Sequence, residues 1–163
     1  MSILKTMTID GFYTKEDATN LSHVVGNLQY KDFDFGSEIE DFNVVPEDAD
    51  EMFSKVLGRN VIVDKDSSGI FRLPEHFIHF EGFDATNEWL FVVALENSTF
   101  NIYEHKTGVK TALDGYQFNY RNLFEWDLTV NYLLEPGQGI FFRPWLFHSF
   151  DMGLIQLFRL KEI

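Results

Sequence analysis

The sequence contains no cysteine. Disulfides, thiolate metal sites and a cysteine nucleophile are excluded on that ground, and a reducing compartment is compatible with the chain. Basic residues are scarce: 13 Lys and Arg stand against 26 Asp and Glu, a formal net charge of −13. That field repels a phosphate backbone and no local basic patch offsets it, so nucleic acid is not an expected partner; a small cation such as a divalent metal is compatible with it. Long apolar runs are absent. The longest, Trp89 to Leu95, is too short to cross a bilayer. Met1 to Asp10 lacks the basic start, apolar stretch and small-residue cleavage site of a secretory signal. The chain therefore reads as a soluble, unexported, cytoplasmic protein without a membrane partner. Phosphate loops, dinucleotide glycine motifs and a Gly-x-Ser-x-Gly elbow are missing too, which argues against three common enzyme classes.

Aromatic residues, by contrast, are abundant. Eighteen Phe, six Tyr and three Trp make up 17% of the 163 residues. Rings at this density favour strands and a thick core. The N-terminal part carries two helical patterns. Thr14 can cap a helix over 14–29, with Asp17 three positions on and Ala18, Leu21, Val25 and Leu28 on one face. Pro46 at a first helical position, four acids after it and Gly58 beyond the end predict a second helix over 46–57, buried through Met52, Phe53, Val56 and Leu57.

From residue 60 the pattern changes to short strand-like runs at 61–63, 70–73, 77–81, 89–96, 100–105, 117–120, 128–134, 139–143 and 154–160. Turn signals separate them, among them Asp66-Ser67-Ser68-Gly69 and Pro136-Gly137-Gln138-Gly139. Many short strands without intervening helices predict an antiparallel sandwich or closed barrel. The expectation is one domain over 1–163, with a helical buttress over 1–59 and the strands over 60–163.

Two stretches carry chemistry. In Phe77-Ile78-His79-Phe80-Glu81, extended backbone turns Phe77, His79 and Glu81 to one face and Ile78 and Phe80 to the other. An imidazole and a carboxylate two positions apart can reach one ion. With a second histidine they form a two-His-one-carboxylate triad, which leaves open positions and is diagnostic of non-haem Fe(II) oxygenases. The bland alternative is a strand histidine bonded to a neighbour, with Glu81 solvated. The second stretch runs from Pro136-Gly137 through Ile140-Phe141-Phe142-Arg143-Pro144-Trp145-Leu146-Phe147 to His148. Eleven residues later stands Arg159, on the face of Ile155 and Leu157. Both faces of that strand look apolar, so its guanidinium needs an anionic partner, either a ligand carboxylate or one of the chain's own acids.

Residues 70–160 resemble the cupin superfamily, and within it the 2-oxoglutarate/Fe(II) oxygenases of Jumonji-C-like and small phage-type kind. The shared order is His-x-acid, then a distal histidine after a Pro-Gly turn and an aromatic strand, then a basic residue. The resemblance implies a double-stranded β-helix, or jelly roll, with the two helices packed against it. It implies Fe(II) held by His79, Glu81 and His148, and 2-oxoglutarate gripped by Arg159, with Tyr103, Tyr120 or Asn101 adding a hydrogen bond. The activity implied is a dioxygenase, a hydroxylase of small-molecule or protein substrate. A cupin-like binding or structural protein, and a cupin enzyme using the metal for other chemistry, are the alternatives. The chain departs from the family in carrying Glu81 where Asp is usual. It lacks the lysine often found on the hairpin strand. Trp145-Leu146-Phe147 stand where a small glycine is typical. Of the remaining histidines, His76 faces away from His79, His23 falls on the first helix between its buried and exposed stripes and reads as a surface or boundary residue, and His105 reads as solvated, while Asp84 is a fallback carboxylate. Exposed aromatics leave a homodimer open.

Overall fold

A computed structural model describes every residue except 1–5, 27, 29, 34, 35, 40–43, 73–76, 82–87 and 152, and only the backbone at 30–33 and 36–39. His76 and Asp84 lie outside the described residues. The first helix, α1 (Lys15–Val25), begins where the capping pattern places it, since the Thr14 side chain accepts from the Asp17 N–H at 3.0 Å. It ends earlier than expected, at Gly26, which leaves Leu28 outside it. The second helix, α2 (Ala49–Leu57), starts three residues after Pro46. The prolyl carbonyl accepts from the Ala49 N–H, so Glu47 and Asp48 form a turn before the helix, while Asp50 and Glu51 occupy its first turn as expected. Gly58 closes α2 in the left-handed conformation at φ 68°. Phe53 and Ala49 are its buried residues, while Val56 is exposed.

The strands are β1 (Thr6–Ile9), β2 (Tyr30–Phe33), β3 (Gly36–Ile39), β4 (Val61–Arg72), β5 (Glu88–Ala94), β6 (Ser98–His105), β7 (Trp126–Leu134), β8 (Gly139–Phe142), β9 (Phe147–Asp151) and β10 (Ile155–Glu162). They form a seven-stranded antiparallel sheet of order β1-β8-β5-β10-β4-β3-β2 and a three-stranded one of order β7-β6-β9. The mainly β double sheet is the expected one, but the N-terminal segment is not purely helical. Its three strands extend both edges of the large sheet, with β1 on β8 and the β2–β3 hairpin on β4.

Three other expectations are corrected. The polar run at 66–69 is no turn, because β4 continues through it as a bulge. Arg159 pairs with Asp64, whereas Leu157 already pairs with Gly69. Ser68 closes the bulge, its hydroxyl donating to the Asp64 carbonyl and accepting from the Arg159 N–H. Residues 117–120 form no strand; they pack as an aromatic plug in which Phe118 and Tyr120 lie against Trp126 and Phe147. Residues 77–81 make only a single bridge, from His79 to His148.

Apolar side chains fill two main layers. Between the sheets lie Leu90, Val92, Phe100, Ile140, Phe142, Phe150, Ile155 and Leu157. On the outer face of the large sheet, α2 and the N-terminal segment cover Phe91, Phe141, Phe158 and Leu160. A smaller cluster seats Ala18 and Val25 of α1 against Ile70, Leu95 and Leu154. Even-numbered residues of β5 thus point between the sheets and odd-numbered ones outward, which is period-two alternation on a strand buried on both faces.

The Pro136-Gly137 turn ties the N-terminal segment to the sheet. Gly137 has φ 93°, its N–H bonds the Ala94 carbonyl, and its own carbonyl accepts from Phe12 and Tyr13. A Cβ there would overlap the Tyr13 carbonyl. Gly137→Ala is expected to cost roughly 1–3 kcal/mol, measured by urea denaturation, since the left-handed backbone alone accounts for that range. A variant as stable as the parent would contradict the turn's tight seating.

Candidate metal centre

His79 is held without a strand of its own. Its N–H and carbonyl exchange hydrogen bonds with His148 on β9, both at 2.9 Å, which fixes the two imidazoles side by side on the inner face. Their ring centroids are 4.2 Å apart. Two residues on, the Glu81 N–H donates to the Pro144 carbonyl at 2.8 Å, so the turn after β8 clamps the segment that carries both ligand types. Arg143 holds that turn. Its guanidinium lies 3.5 Å from the Trp89 ring centroid and 5.2 Å from that of Trp145, and it donates to the Glu88 carbonyl. Burial pushes the Arg143 pKa down to about 10, with Arg59 adding to this and Glu162 opposing it.

The three candidate ligand atoms face one another. His79 Nε2 is 3.3 Å from Glu81 Oε1 and His148 Nε2 is 4.0 Å from the same oxygen; all three lie within 4.8 Å of one another. Each imidazole gives its Nδ1–H to a backbone carbonyl, His79 to Phe77 and His148 to Leu146. This orients both rings and leaves the two Nε2 atoms facing the common point. His148 is fully buried, and its Nε2 has no hydrogen-bond partner among the described residues. Such an orphan is costly in a folded protein, and a cation would satisfy it.

Protonation states favour ligation. Burial pushes the His148 imidazole down to about 3, helped by His79 and opposed by Glu81, so it is neutral at pH 7. Burial alone would raise Glu81. The His79 hydrogen bond and the charges of His79, His148 and Arg159 outweigh it and hold the carboxyl at about 2.

Arg159 lies on the inner face, but it is not deeper than the triad. Its side chain is 18% exposed, as is that of Glu81, against 17% for His79 and 0% for His148. It donates from Nη2 to Glu81 Oε2 at 2.9 Å and from Nη1 to Glu88 Oε2 at 3.2 Å. The anionic partners of its guanidinium are thus the chain's own acids. Tyr103 and Asn101 are not brought to the centre. On β6 it is Ile102 that pairs with His148, so Asn101 and Tyr103 project from the opposite face of the small sheet. There the Tyr103 hydroxyl meets Ser149 Oγ, and Asn101 donates to Ser149 and Asp151. Tyr120 packs beside Trp126 and Phe147 on that same outer face and gives its hydroxyl proton to the Tyr116 carbonyl. His105 is buried against Phe118 and Trp126 instead of solvated, and His23 is exposed on α1.

No family model matches the sequence, and no curated protein is similar to it. Solved structures do match. HygX from Streptomyces hygroscopicus, with nickel and 2-oxoglutarate bound, superposes with a TM-score of 0.56 at 10% identity, covering 96% of this chain and 82% of HygX. EctD from S. alaskensis matches in its apo form with a TM-score of 0.54 and with bound Fe at 0.53. Both share 12% identity and cover 96% of this chain and 72% of EctD. The chain is a cupin-like jelly roll. Within the jelly roll, sequence reasoning passed over Glu88 and Arg143. Glu88 was detectable as the one charged residue on the inner face of an otherwise apolar strand. Arg143 left no such signal, since its role depends on two tryptophans brought together by the fold.

Proposed function

We propose that this jelly roll is an Fe(II)- and 2-oxoglutarate-dependent dioxygenase acting as a hydroxylase. The reading is carried by the buried Nε2 of His148, which has no hydrogen-bond partner among the described residues and points at the same place as His79 Nε2 and Glu81 Oε1. Two imidazoles and one carboxylate on one side of an ion are the donor set that leaves positions open for further ligands. His79, Glu81 and His148 would hold the iron, which with 2-oxoglutarate and O₂ supplies oxidising power for hydroxylation. Arg159 supplies the positive charge that a distal cosubstrate carboxylate requires. Phe77, Phe142 and Phe150 border the two imidazoles and exclude water from the inner side. The net charge of −13 favours a small-molecule or protein substrate over nucleic acid.

Anaerobic titration with Fe(II) followed by 2-oxoglutarate tests this reading. A weak charge-transfer absorption should develop that requires both additions and is lost in His79→Ala. Admission of O₂ should then yield succinate. Folded protein that gives neither signal would defeat the proposal in favour of a binding or structural role.

A further inference from the structure

We infer that Glu88 sets the affinity of the site for dicarboxylates by competing for Arg159, an inference that rests on the dioxygenase reading above. The guanidinium is shared between two acids of unequal mobility. Glu81 is fixed at three points: its backbone N–H on the Pro144 carbonyl, Oε1 against His79 and Oε2 on Arg159. Among the described residues, the Glu88 side chain has a single polar contact, the 3.2 Å bond to Arg159 Nη1, and no other hydrogen bond or ion pair. Its backbone, by contrast, is anchored, since β5 pairs on both sides and Arg143 holds the Glu88 carbonyl. The side chain can therefore leave while the strand stays.

Glu88 offers Arg159 the same chemistry that the far end of a dicarboxylate would offer. An incoming carboxylate has to displace it and also meets its negative charge. Arg159 keeps its place when Glu88 leaves, because Glu81 retains Nη2. A displaced Glu88 has Lys161 directly across from it on β10, on the same face. Cosubstrate binding is thus an exchange of one carboxylate for another on Nη1. A 2-oxo acid without a distal carboxylate needs no exchange, so Glu88 lowers the advantage of dicarboxylates over monocarboxylates.

The test uses full-length protein loaded with Ni(II), titrated calorimetrically with 2-oxoglutarate and with 2-oxobutyrate, which keeps the chelating end and lacks the second carboxylate. Glu88→Gln and Glu88→Ala should each bind 2-oxoglutarate about five- to tenfold more tightly than the parent, the scale of a partly exposed ion pair plus a like-charge repulsion. Affinities for 2-oxobutyrate and for Ni(II) itself should stay within about twofold. Unchanged or weaker 2-oxoglutarate binding in both variants overturns the role of Glu88, as does an equal gain for 2-oxobutyrate. Failure of the parent to bind Ni(II) at all overturns the dioxygenase reading, and this inference with it.

Discussion

Metal-free His148→Leu protein is expected to melt within a few degrees of the parent, while Ni(II) should raise the melting temperature of the parent alone. The imidazole is fully buried, with Nδ1 on the Leu146 carbonyl and Nε2 without a hydrogen-bond partner among the described residues. Leaving such an atom unsatisfied costs about 1–3 kcal/mol, and the Nδ1 bond contributes about 1 kcal/mol. Leucine is apolar and of similar size; it removes the orphaned Nε2 but takes the donor from the buried Leu146 carbonyl at a similar cost, so the terms largely offset and the net change in the metal-free state is roughly 1 kcal/mol. Metal changes this balance. A ligand held only by the folded state at a hundredfold excess over its Kd stabilises by about 2.7 kcal/mol. For a chain of this length that corresponds to a rise of roughly 5–10 °C. Because burial keeps His148 neutral, no proton need be expelled from its Nε2 at pH 7. Differential scanning fluorimetry with and without Ni(II) reads both quantities. A Leu variant destabilised by several kcal/mol without metal would make His148 a packing residue, and a persistent Ni(II) shift would place the ligand elsewhere.

That contrast between structural and ligating histidines also marks how far the sequence could be read. The shared face of His79 and Glu81 needed only local extended backbone, so parity counted along the chain predicted it although 77–81 forms a single bridge instead of a strand. Which face of β6 meets His148 was a different problem. It depends on the register of two strands 45 or so residues apart, and a slip of one residue exchanges the faces. Without that register Tyr103, Tyr120 and Asn101 stand as equal candidates for the cosubstrate's hydrogen bond, and the pairing of Ile102 with His148 puts Asn101 and Tyr103 on the opposite face.

Arg159 shows the same limit in another form. Its burial and its need for an anion followed from the apolar residues around it. The identity of that anion did not, because Glu81 reaches it from the segment bridged to β9 and Glu88 from the neighbouring β5. The bulge itself was read as a turn, since Asp-Ser-Ser-Gly is equally suited to either, and only pairing with β10 on both sides of it distinguishes them. Strands β1, β2 and β3 leave little trace in the sequence because each has four residues; β1 and β3 gain their hydrogen bonds from strands far along the chain, and among the described residues β2 pairs only with β3.

The largest purely structural effect is expected at Phe53, the residue through which α2 is joined to the jelly roll. Phe53 is fully buried, and its ring lies 5.4 Å from Phe12, 5.0 Å from Phe91, 5.6 Å from Phe141 and 5.5 Å from Phe158, centroid to centroid. These neighbours come from the N-terminal segment and from β5, β8 and β10, so no single element can shift to fill the space left by truncation. Phe53→Ala should therefore cost about 3–5 kcal/mol, against less for Phe53→Leu, which keeps most of the volume. The corresponding fall in melting temperature is on the order of 10 °C. The same substitution should leave Ni(II) affinity of the folded protein within about twofold, because the cluster lies on the outer face of the large sheet and the triad on its inner side. Urea denaturation and metal titration, performed well below the midpoint, separate the two. A large loss of metal affinity in Phe53→Ala would mean that the aromatic layer sets the position of β8 and β10, and through them of the Pro144 carbonyl and Arg159. A small loss of stability would mean that the segment around Phe12 is free to close over the cavity.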